Sequence, residues 1–300
     1  MTDDEDARKT AASAWFRALR DRIVAAFEAL EDEGAPGPFA DLPAGRFEVT
    51  PTSRTSDDGS DAGGGLMSVM REGRVFEKVG VNWSQVHGRL GSRAQSAMAA
   101  RGVPGMSEDP RFWASGISLV AHMRNPHVPA VHLNTRMFWT PHAWWFGGGA
   151  DLNPCLEYAE DTAHFHAQMK AACDAAGPFE GADRYARFKE WADRYFYVPH
   201  RGRARGVGGI FYDDLNTGDW DADFAFTRAV GEQFLPAYLP LVERRRGDPW
   251  TEADKDAQLR HRGLYAEYNL VYDRGTKFGL ESGHDANAVL MSLPPMAKWH

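Results

Sequence analysis

Two neighbouring segments, residues 117–123 and 131–137, alternate between apolar and polar side chains along most of their length. A period of two is typical of β-strands, whose successive side chains point to opposite faces of a sheet. The link between them, Asn125–Pro129, contains two prolines, which cannot donate to a strand ladder and which bias their predecessors away from helix. The sequence therefore predicts a β-hairpin with one apolar and one polar face.

The polar face of this hairpin has an unusual composition. Solvated sheet faces favour Thr, Lys and Glu, whereas this face carries a hydroxyl, imidazoles, an amide and guanidinium groups. Guanidinium groups bind carboxylates through two parallel hydrogen bonds, so we expect an anionic ligand here. Arg136 is the best candidate clamp because it lies on a strand among histidines, and Arg201, Arg203 and Arg205 form a second concentration of charge. The hairpin's polar residues are Ser118, His122, Arg124, His132, Asn134 and Arg136.

The bulk charge and the termini exclude several classes of protein. The 34 Lys and Arg residues against 42 Asp and Glu give a net charge of −8, which argues against a general nucleic-acid-binding protein. Two cysteines make no disulfide framework. The acidic N-terminus lacks the features of a signal peptide, and no apolar run is long enough to span a membrane. A cytoplasmic protein is expected.

The remaining patterns mix helices and strands without a regular βαβ repeat, so the fold class expected is α+β, in a single domain over residues 1–300 with a predominantly antiparallel sheet. Apolar residues at helical spacing predict a first helix from Asp6 to Glu31, and residues 52–65 are expected to be a polar, glycine-rich loop. Thr251 with Asp254 resembles a capping box. Further helices are predicted at 153–176, 183–196 and 224–242, and further strands at 75–83, 143–149, 207–213, 265–272 and 287–293.

The histidines allow two interpretations. Four of them could form an all-imidazole metal site, or they could be hydrogen-bonding and acid groups without a metal. No H-x-x-x-H or H-E-x-x-H spacing decides between the two. The four are His122, His132, His166 and His200.

Asp213 and Asp214 end the strand predicted at 207–213. Neighbouring carboxylates can take different roles, because like-charge repulsion keeps one ionised and raises the pKa of the other. The alternative is a turn or helix-capping pair. The arginine run at 201–205 just upstream suggests that cations and anions surround one opening.

Five long segments resemble the oxygen-dependent coproporphyrinogen III oxidase family. Besides the hairpin 118–136, they are GVNWSQVHG at 80–88, WWFGGGADLNP at 144–154, GVGGIFYDDLN at 206–216 and YAEYNLVYDRGTKFGL at 265–280. The resemblance is collinear from Trp15 to Trp299. It implies a large antiparallel sheet flanked by helices on both faces, and a homodimer whose interface lies mainly at about 265–300.

The resemblance also implies a reaction in haem biosynthesis. Two propionates of coproporphyrinogen III are decarboxylated oxidatively to vinyl groups, giving protoporphyrinogen IX, with O₂ as co-substrate and release of CO₂ and hydrogen peroxide. No organic cofactor is implied, and a divalent metal cation is possible, since the four histidines fall where bacterial members have assigned metal ligands. His132 corresponds to the proton donor, and we hypothesise that Asp213 or Asp214 binds the pyrrole N–H groups. The substrate-binding positions are Ser118, Asn134, Arg136, Arg201 and Gly283.

The chain departs from the family pattern near its C-terminus. Where many members have an arginine in a glycine-rich turn that contacts substrate, this chain has Ser282, Gly283, His284 and Asp285. A backbone contact at Gly283 survives this change, but an arginine–carboxylate pair does not. The chain also ends at residue 300, a few dozen residues earlier than many members.

Two other functions remain open on the residues. A histidine-liganded non-haem iron oxygenase would fit the four histidines, although a 2-His-1-carboxylate site needs a carboxylate that the hairpin lacks. A porphyrin carrier would bind the ring without consuming oxygen.

Overall fold

The computed structural model describes residues 3–56, 58–281 and 285–299. In these residues the strands are β1 (Glu48–Thr55), β2 (Asp61–Arg71), β3 (Phe76–Arg89), β4 (Arg111–Met123), β5 (Ala130–Thr140), β6 (Ala143–Asn153), β7 (Tyr197–Val198), β8 (Arg203–Ala204) and β9 (Gly208–Leu215). The α-helices are α1 (Asp3–Glu33), α2 (Ser92–Ala100), α3 (Ala159–Ala175), α4 (Arg184–Tyr195), α5 (Trp220–Glu232), α6 (Phe234–Arg245), α7 (Glu252–Val271), α8 (Arg274–Glu281) and α9 (Ala286–Val289). Three-residue 3₁₀ helices occupy Pro199–Arg201 and Leu290–Ser292.

The predicted hairpin lies in the middle of a seven-stranded sheet. Its strands β4 and β5 pair antiparallel, with Ser118 opposite Asn134. The strand order is β1-β2-β3-β4-β5-β6-β9, and every neighbouring pair is antiparallel. The α+β class and the predominantly antiparallel sheet are therefore confirmed.

One face of the sheet carries the main core. Ile117, Leu119 and Leu133 of the hairpin are buried there, as the alternation predicted. Helix α1 contributes a buried stripe to the same core, including Phe16 and Phe27. Each such side chain removed from water stabilises the fold by roughly 1.5–3 kcal/mol, which fixes the strand register and holds the polar set on the opposite face.

Helices also pack on the opposite face. At one end, Met98 of α2 packs against a cluster that contains Phe138 and Trp145. At the other end, Lys78 Nζ donates to the Leu293 carbonyl at 2.7 Å, and Asn82 Nδ2 donates to the Ala288 carbonyl at 3.0 Å. Helices on both faces are thus confirmed, and part of the hairpin's polar face remains open between them.

Several local predictions hold. Helix α1 contains the predicted range and begins and ends a few residues outside it. The Asp183 side chain caps α4, and Thr251 with Asp254 forms the predicted capping box of α7. None of the described helices is both long and apolar enough to cross a membrane.

The two strands predicted near the C-terminus are wrong. Residues 265–271 continue α7, whose buried residues Gln258, Arg262, Tyr265 and Asn269 recur at spacings of three and four, the period of a helix face. Residues 287–293 form the end of α9 and a 3₁₀ turn rather than a strand. A short run of aromatic and β-branched residues is ambiguous between strand and helix, and tertiary packing decided for the helix.

Three other local predictions are wrong. The expected loop at 52–65 includes parts of β1 and β2, where Thr52 pairs with Gly65. Asn153 ends β6 and does not cap a helix, since α3 starts only at Ala159. The single helix expected at 224–242 is two helices, α5 and α6, that meet at Gln233.

Candidate active site

The open part of the polar face lies where β4, β5, β6 and β9 run side by side. The register places Asn134 between Ser118 and Gly149, and Arg136 between Gly116 and Gly147. Because three of these four neighbours are glycines and the fourth is a serine, the floor around Asn134 and Arg136 is low and broad. Sequence and register together produce a flat polar surface.

His132 is held by a carboxylate on the next strand. Asp151 lies directly opposite it in the register of β5 and β6, and its Oδ1 atom is 2.8 Å from His132 Nδ1. A hydrogen bond from Nδ1–H to a carboxylate leaves Nε2 as the reactive ring atom. The Asn134 side-chain amide lies beside Nε2, with its nitrogen at 3.1 Å. Its nitrogen can donate to the neutral ring, and with the amide turned its oxygen can accept from Nε2–H of the protonated ring. His132 therefore presents one oriented nitrogen to the open floor.

Asp151 is itself part of a buried ion pair. Arg205 Nη2 donates to both carboxylate oxygens, at 3.0 and 2.8 Å, and Asn153 Nδ2 donates to Oδ2 at 2.9 Å. Arg205 also lies over the rings of Phe196 and Tyr265, 4.4 and 4.5 Å from their centroids. Burial alone would raise the pKa of Asp151, but the Arg205 charge and the His132 hydrogen bond lower it to about 2. The carboxylate that orients His132 is thus ionised at neutral pH.

A second carboxylate on the same face is surrounded by three guanidinium groups, from Arg101, Arg136 and Arg274, which we call the arginine cluster. Arg136 Nη2 donates to Asp213 Oδ1 at 2.8 Å, while Arg101 and Arg274 approach Oδ2 at 3.2 and 3.4 Å. Arg101 also pairs with Asp214. Three guanidinium groups therefore contact two carboxylates at this part of the floor.

The Arg136–Asp213 pair lies directly over Gly147. A Cβ atom added to that glycine would be 2.7 Å from Asp213 Oδ1 and 3.2 Å from Arg136 Cζ. Any larger residue would therefore push this pair away from the strand. The glycine run at 147–149 is explained by the close approach of side chains and of neighbouring backbone, and not by a phosphate-binding loop.

Asp213 and Asp214 ionise differently. Burial opposes the charge of Asp213, but Arg136, Arg101 and Arg274 lower its pKa. The pKa of Asp214 is raised, first by partial burial and then by the charge of Asp213. The cations around this pair come from the arginine cluster and not from the run 201–205, so that part of the prediction was wrong.

The four histidines of the possible metal site have separate hydrogen-bond partners in different places. His122 Nε2 is 2.9 Å from the Ser292 carbonyl, and the ring is buried. His166 lies between the Tyr185 hydroxyl and the Val207 carbonyl, at 2.9 and 3.1 Å. Burial lowers the pKa of both, that of His122 to about 3.

The fourth histidine, His200, contacts α7 and the residue that follows it. Its Nε2 atom lies 2.7 Å from Glu267 Oε2, and its Nδ1 lies 2.7 Å from the Tyr272 hydroxyl. Within residues 3–56, 58–281 and 285–299, no three His, Cys, Asp or Glu side chains are grouped so that they could hold a metal ion. The four imidazoles therefore do not fit a common metal in this chain.

The predicted substrate-binding residue Arg201 lies away from the arginine cluster. Arg201 Nε donates to Glu267 Oε2 at 2.8 Å, and its charge is matched there. Gly283 lies outside the described residues. Asp285, at the position where the sequence departs from the family pattern, caps α9 by accepting from the Asn287 backbone N–H at 2.7 Å.

Three important residues were not recognised in the sequence for what they do. Asp151 had a usable signal: Thr140 pairs with Ala143, and counting back from that tight turn places Asp151 opposite His132. Arg205 was taken for an anion clamp but is buried and binds Asp151. Arg101 had no signal, because only the tertiary fold brings it to Asp213.

The geometry combines an anion-binding cluster with an oriented imidazole on one flat floor. Guanidinium groups that are partly exposed can exchange contacts with Asp213 for contacts with a ligand carboxylate. His132 Nε2, on the same strand, can give or take a proton at a group placed above the floor. Such a site suits a broad ligand with several carboxylates and a reaction that moves protons.

Comparison with known proteins agrees with this description. The family model described as coproporphyrinogen III oxidase matches residues 11–300. A Rickettsia bellii protein named oxygen-dependent coproporphyrinogen-III oxidase is 47% identical over 287 residues, which cover 96% of each chain. Proteins of the same name from Rickettsia africae and Rickettsia conorii are 45% and 44% identical over 292 residues, which cover 97% of this chain and 98% of each of theirs.

Proposed function

The chain belongs to the coproporphyrinogen III oxidase family, and on this premise we propose that it catalyses the oxidative decarboxylation of two propionate side chains of coproporphyrinogen III, in haem biosynthesis, with O₂ as the oxidant. The observation that carries the proposal is the arginine cluster beside the oriented imidazole of His132. An otherwise acidic protein concentrates cations where a tetracarboxylate ring would lie.

The stoichiometry explains why a proton donor is useful. In each step a propionate, O₂ and one proton give a vinyl group, CO₂ and hydrogen peroxide. The C–H bond at the propionate carbon next to the pyrrole ring breaks, and its two electrons and proton pass to O₂. The electrons of the C–C bond to the carboxyl group form the vinyl double bond as CO₂ leaves. Because each step consumes one proton, we assign His132 Nε2 as the donor, with Asp151 stabilising the protonated ring.

The arginine cluster is proposed to hold the propionates. Side-chain exposures of 37% for Arg136 and 30% for Arg101 leave their guanidinium groups open to a ligand. Asn134 and Ser118, neighbours in the register, supply neutral hydrogen bonds on the same floor. Arg201 would hold substrate only by leaving Glu267, so we give it a smaller role.

We propose different roles for the two adjacent aspartates. Asp213 accepts from all three arginines and is buried, so we assign it to hold the cluster together. Asp214 is half exposed and has one arginine partner, so it is the better acceptor for the pyrrole N–H groups. We expect Asp214→Asn to lower turnover; unchanged turnover in both Asp213→Asn and Asp214→Asn would remove this orienting role.

The reaction itself is tested by incubating the protein with coproporphyrinogen III in air and without oxygen, and by analysing the porphyrins after chemical oxidation. Protoporphyrin formed only in air, with peroxide release, supports the proposal. No protoporphyrin in air would overturn it, and tight porphyrin binding without oxygen uptake would indicate a carrier.

A matched pair of variants tests the imidazole. His132→Gln should lower kcat by about 10²–10⁴-fold, the usual contribution of a positioned acid or base. His164→Gln is the control, because His164 lies on α3 and, among the residues that the structure describes, hydrogen-bonds only to the Pro236 carbonyl. Equal activity of the two variants would contradict the assignment of His132.

We route no step through a metal, because the four histidines have other partners. Loss of activity on chelation, with recovery on adding one metal alone, would contradict this.

The homodimer expected from the sequence is also a proposal. Most of the strongly exposed apolar side chains lie between 270 and 299, among them Leu270, Leu280 and Met296. Leu270→Glu should then convert dimers to monomers in analytical ultracentrifugation, whereas Val49→Glu, an equally apolar exposed site on β1, should not. A monomeric starting protein would overturn the proposal. The cytoplasmic location stays a prediction that cell fractionation would test.

A further inference from the structure

A small cavity lies next to Asn153, one of the residues that bind Asp151. Its volume is about 10 Å³, the size that holds a single water molecule. Its lining includes His122, Ala130, Asn153, His261 and Arg262, from β4, β5, β6 and α7. The cavity therefore lies between the sheet and α7.

Four of these lining residues each have one buried polar atom without a hydrogen-bond partner among the described residues. The atoms are His122 Nδ1, Asn153 Oδ1, His261 Nε2 and Arg262 Nη1. An unpaired buried polar atom costs about 1–3 kcal/mol, and buried groups are nearly always satisfied by protein or by ordered water. Four residues with such atoms line one cavity, so a single small ligand held there could pair with several of them.

The donors and acceptors among these atoms identify the ligand. His122 Nε2 donates to the Ser292 carbonyl, so Nδ1 of the neutral ring must accept. Asn153 Oδ1 accepts as well, whereas Arg262 Nη1 can only donate. An anion would meet the two acceptors, and a cation would meet the Arg262 charge. Water offers two donors and two acceptors, and it matches the set.

We propose that this cavity binds one structural water molecule that positions the His132–Asp151 pair through Asn153. With Oδ1 held by the water, Asn153 presents Nδ2 to Asp151, which it reaches at 2.9 Å. A rotated amide would place an oxygen against the carboxylate. The Asp151 carboxylate and the water therefore both favour this amide orientation, and Asn153 acts as a positioning residue. The effect on catalysis depends on the function proposed for His132, but the water site does not.

The occupant is tested by a crystal structure that resolves ordered waters. A single peak within about 3.2 Å of at least three of the four atoms, refining as water, is expected. A cavity without density, or density with the scattering or coordination of a metal or halide, would overturn the proposal. This result is independent of any enzymatic activity.

The positioning role is tested by filling the cavity. Ala130→Val adds two methyl groups to the lining and should expel the water, and Ala130→Ser is the matched control that keeps the side chain small. We expect Ala130→Val to lower kcat by about tenfold with KM unchanged, and Ala130→Ser to stay within about twofold of wild type. Wild-type kcat in an Ala130→Val protein whose crystal structure lacks the water would overturn the positioning role.

A second variant guards against misfolding of the first. His122→Gln keeps a donor for the Ser292 carbonyl but removes the Nδ1 acceptor, and it should also lower kcat without changing KM. If the wild-type protein does not convert coproporphyrinogen, the proposed function fails while the crystallographic test still decides the water site.

Discussion

Asp151 and Asp213 lie on the same face of the same sheet, and both are paired with arginine, but their surroundings differ. The Asp151–Arg205 pair is enclosed, with side-chain exposures of 1% and 2%. Asp213 is equally buried, but its partners Arg136 and Arg274 are 37% and 51% exposed. A pair closed to solvent has one arrangement and can orient a neighbour, whereas open guanidinium groups can exchange partners. An arginine–carboxylate pair can therefore position a neighbour where it is buried and bind a ligand where its arginine is exposed.

The largest effect is expected from breaking the enclosed pair. Arg205→Met leaves Asp151 buried without its cation, and it should lower the free energy of unfolding by about 3–5 kcal/mol and abolish turnover. Denaturant unfolding measures the first and porphyrin analysis the second. The control is Arg203→Met, an exposed neighbour on β8. If both variants have the same free energy of unfolding, the enclosed pair does not stabilise the fold.

The next largest effect is expected from acid titration of the enclosed Asp151 carboxylate. The folded pKa of Asp151, about 2, lies below the ordinary value of 3.8, so its contribution is complete at neutral pH and is lost as the pH falls from about 4 to about 2. The loss should amount to roughly 2–3 kcal/mol of unfolding free energy. Unfolding curves of wild type and Asp151→Asn over this range test it; the variant should lack this part of the acid dependence. Parallel curves would contradict it.

Removing an open arginine should affect the ligand more than the fold. Arg136→Gln removes a charged contact to substrate and should lower kcat/KM by about 10–150-fold, while the unfolding free energy changes by less than about 1 kcal/mol. Steady-state kinetics beside denaturant unfolding provide both values. A large loss of stability with normal kinetics would place Arg136 with the enclosed pair.

The smallest effect is expected at Arg101, which reaches the cluster from outside the sheet. Arg101→Gln should raise KM by about threefold to tenfold and change stability by at most about 0.5 kcal/mol. Arg93→Gln is a suitable control, since Arg93 lies on α2 and pairs with Glu281 instead. No difference between the two variants would remove Arg101 from the binding site.

Much of the site could be predicted because it lies on strands with a clear period. Ser118, His132, Asn134 and Arg136 share a face by alternation alone, and the structure keeps them there. The C-terminal segments failed for the opposite reason. Residues 265–272 have the composition of a strand, and only packing of Tyr265 and Asn269 against the sheet shows the helical period.

The sequence by itself determined the hairpin, its two faces and the place of His132 on the polar one. It also determined the family to which the chain is similar. These features depend on local period and on motif. Only the tertiary structure decided which carboxylate pairs with which arginine. Arg101 is 112 residues from Asp213, and Arg205 is 54 residues from Asp151. Contacts between residues so distant in the chain depend on how the elements pack, and the same packing decides which arginine is enclosed and which remains open to a ligand.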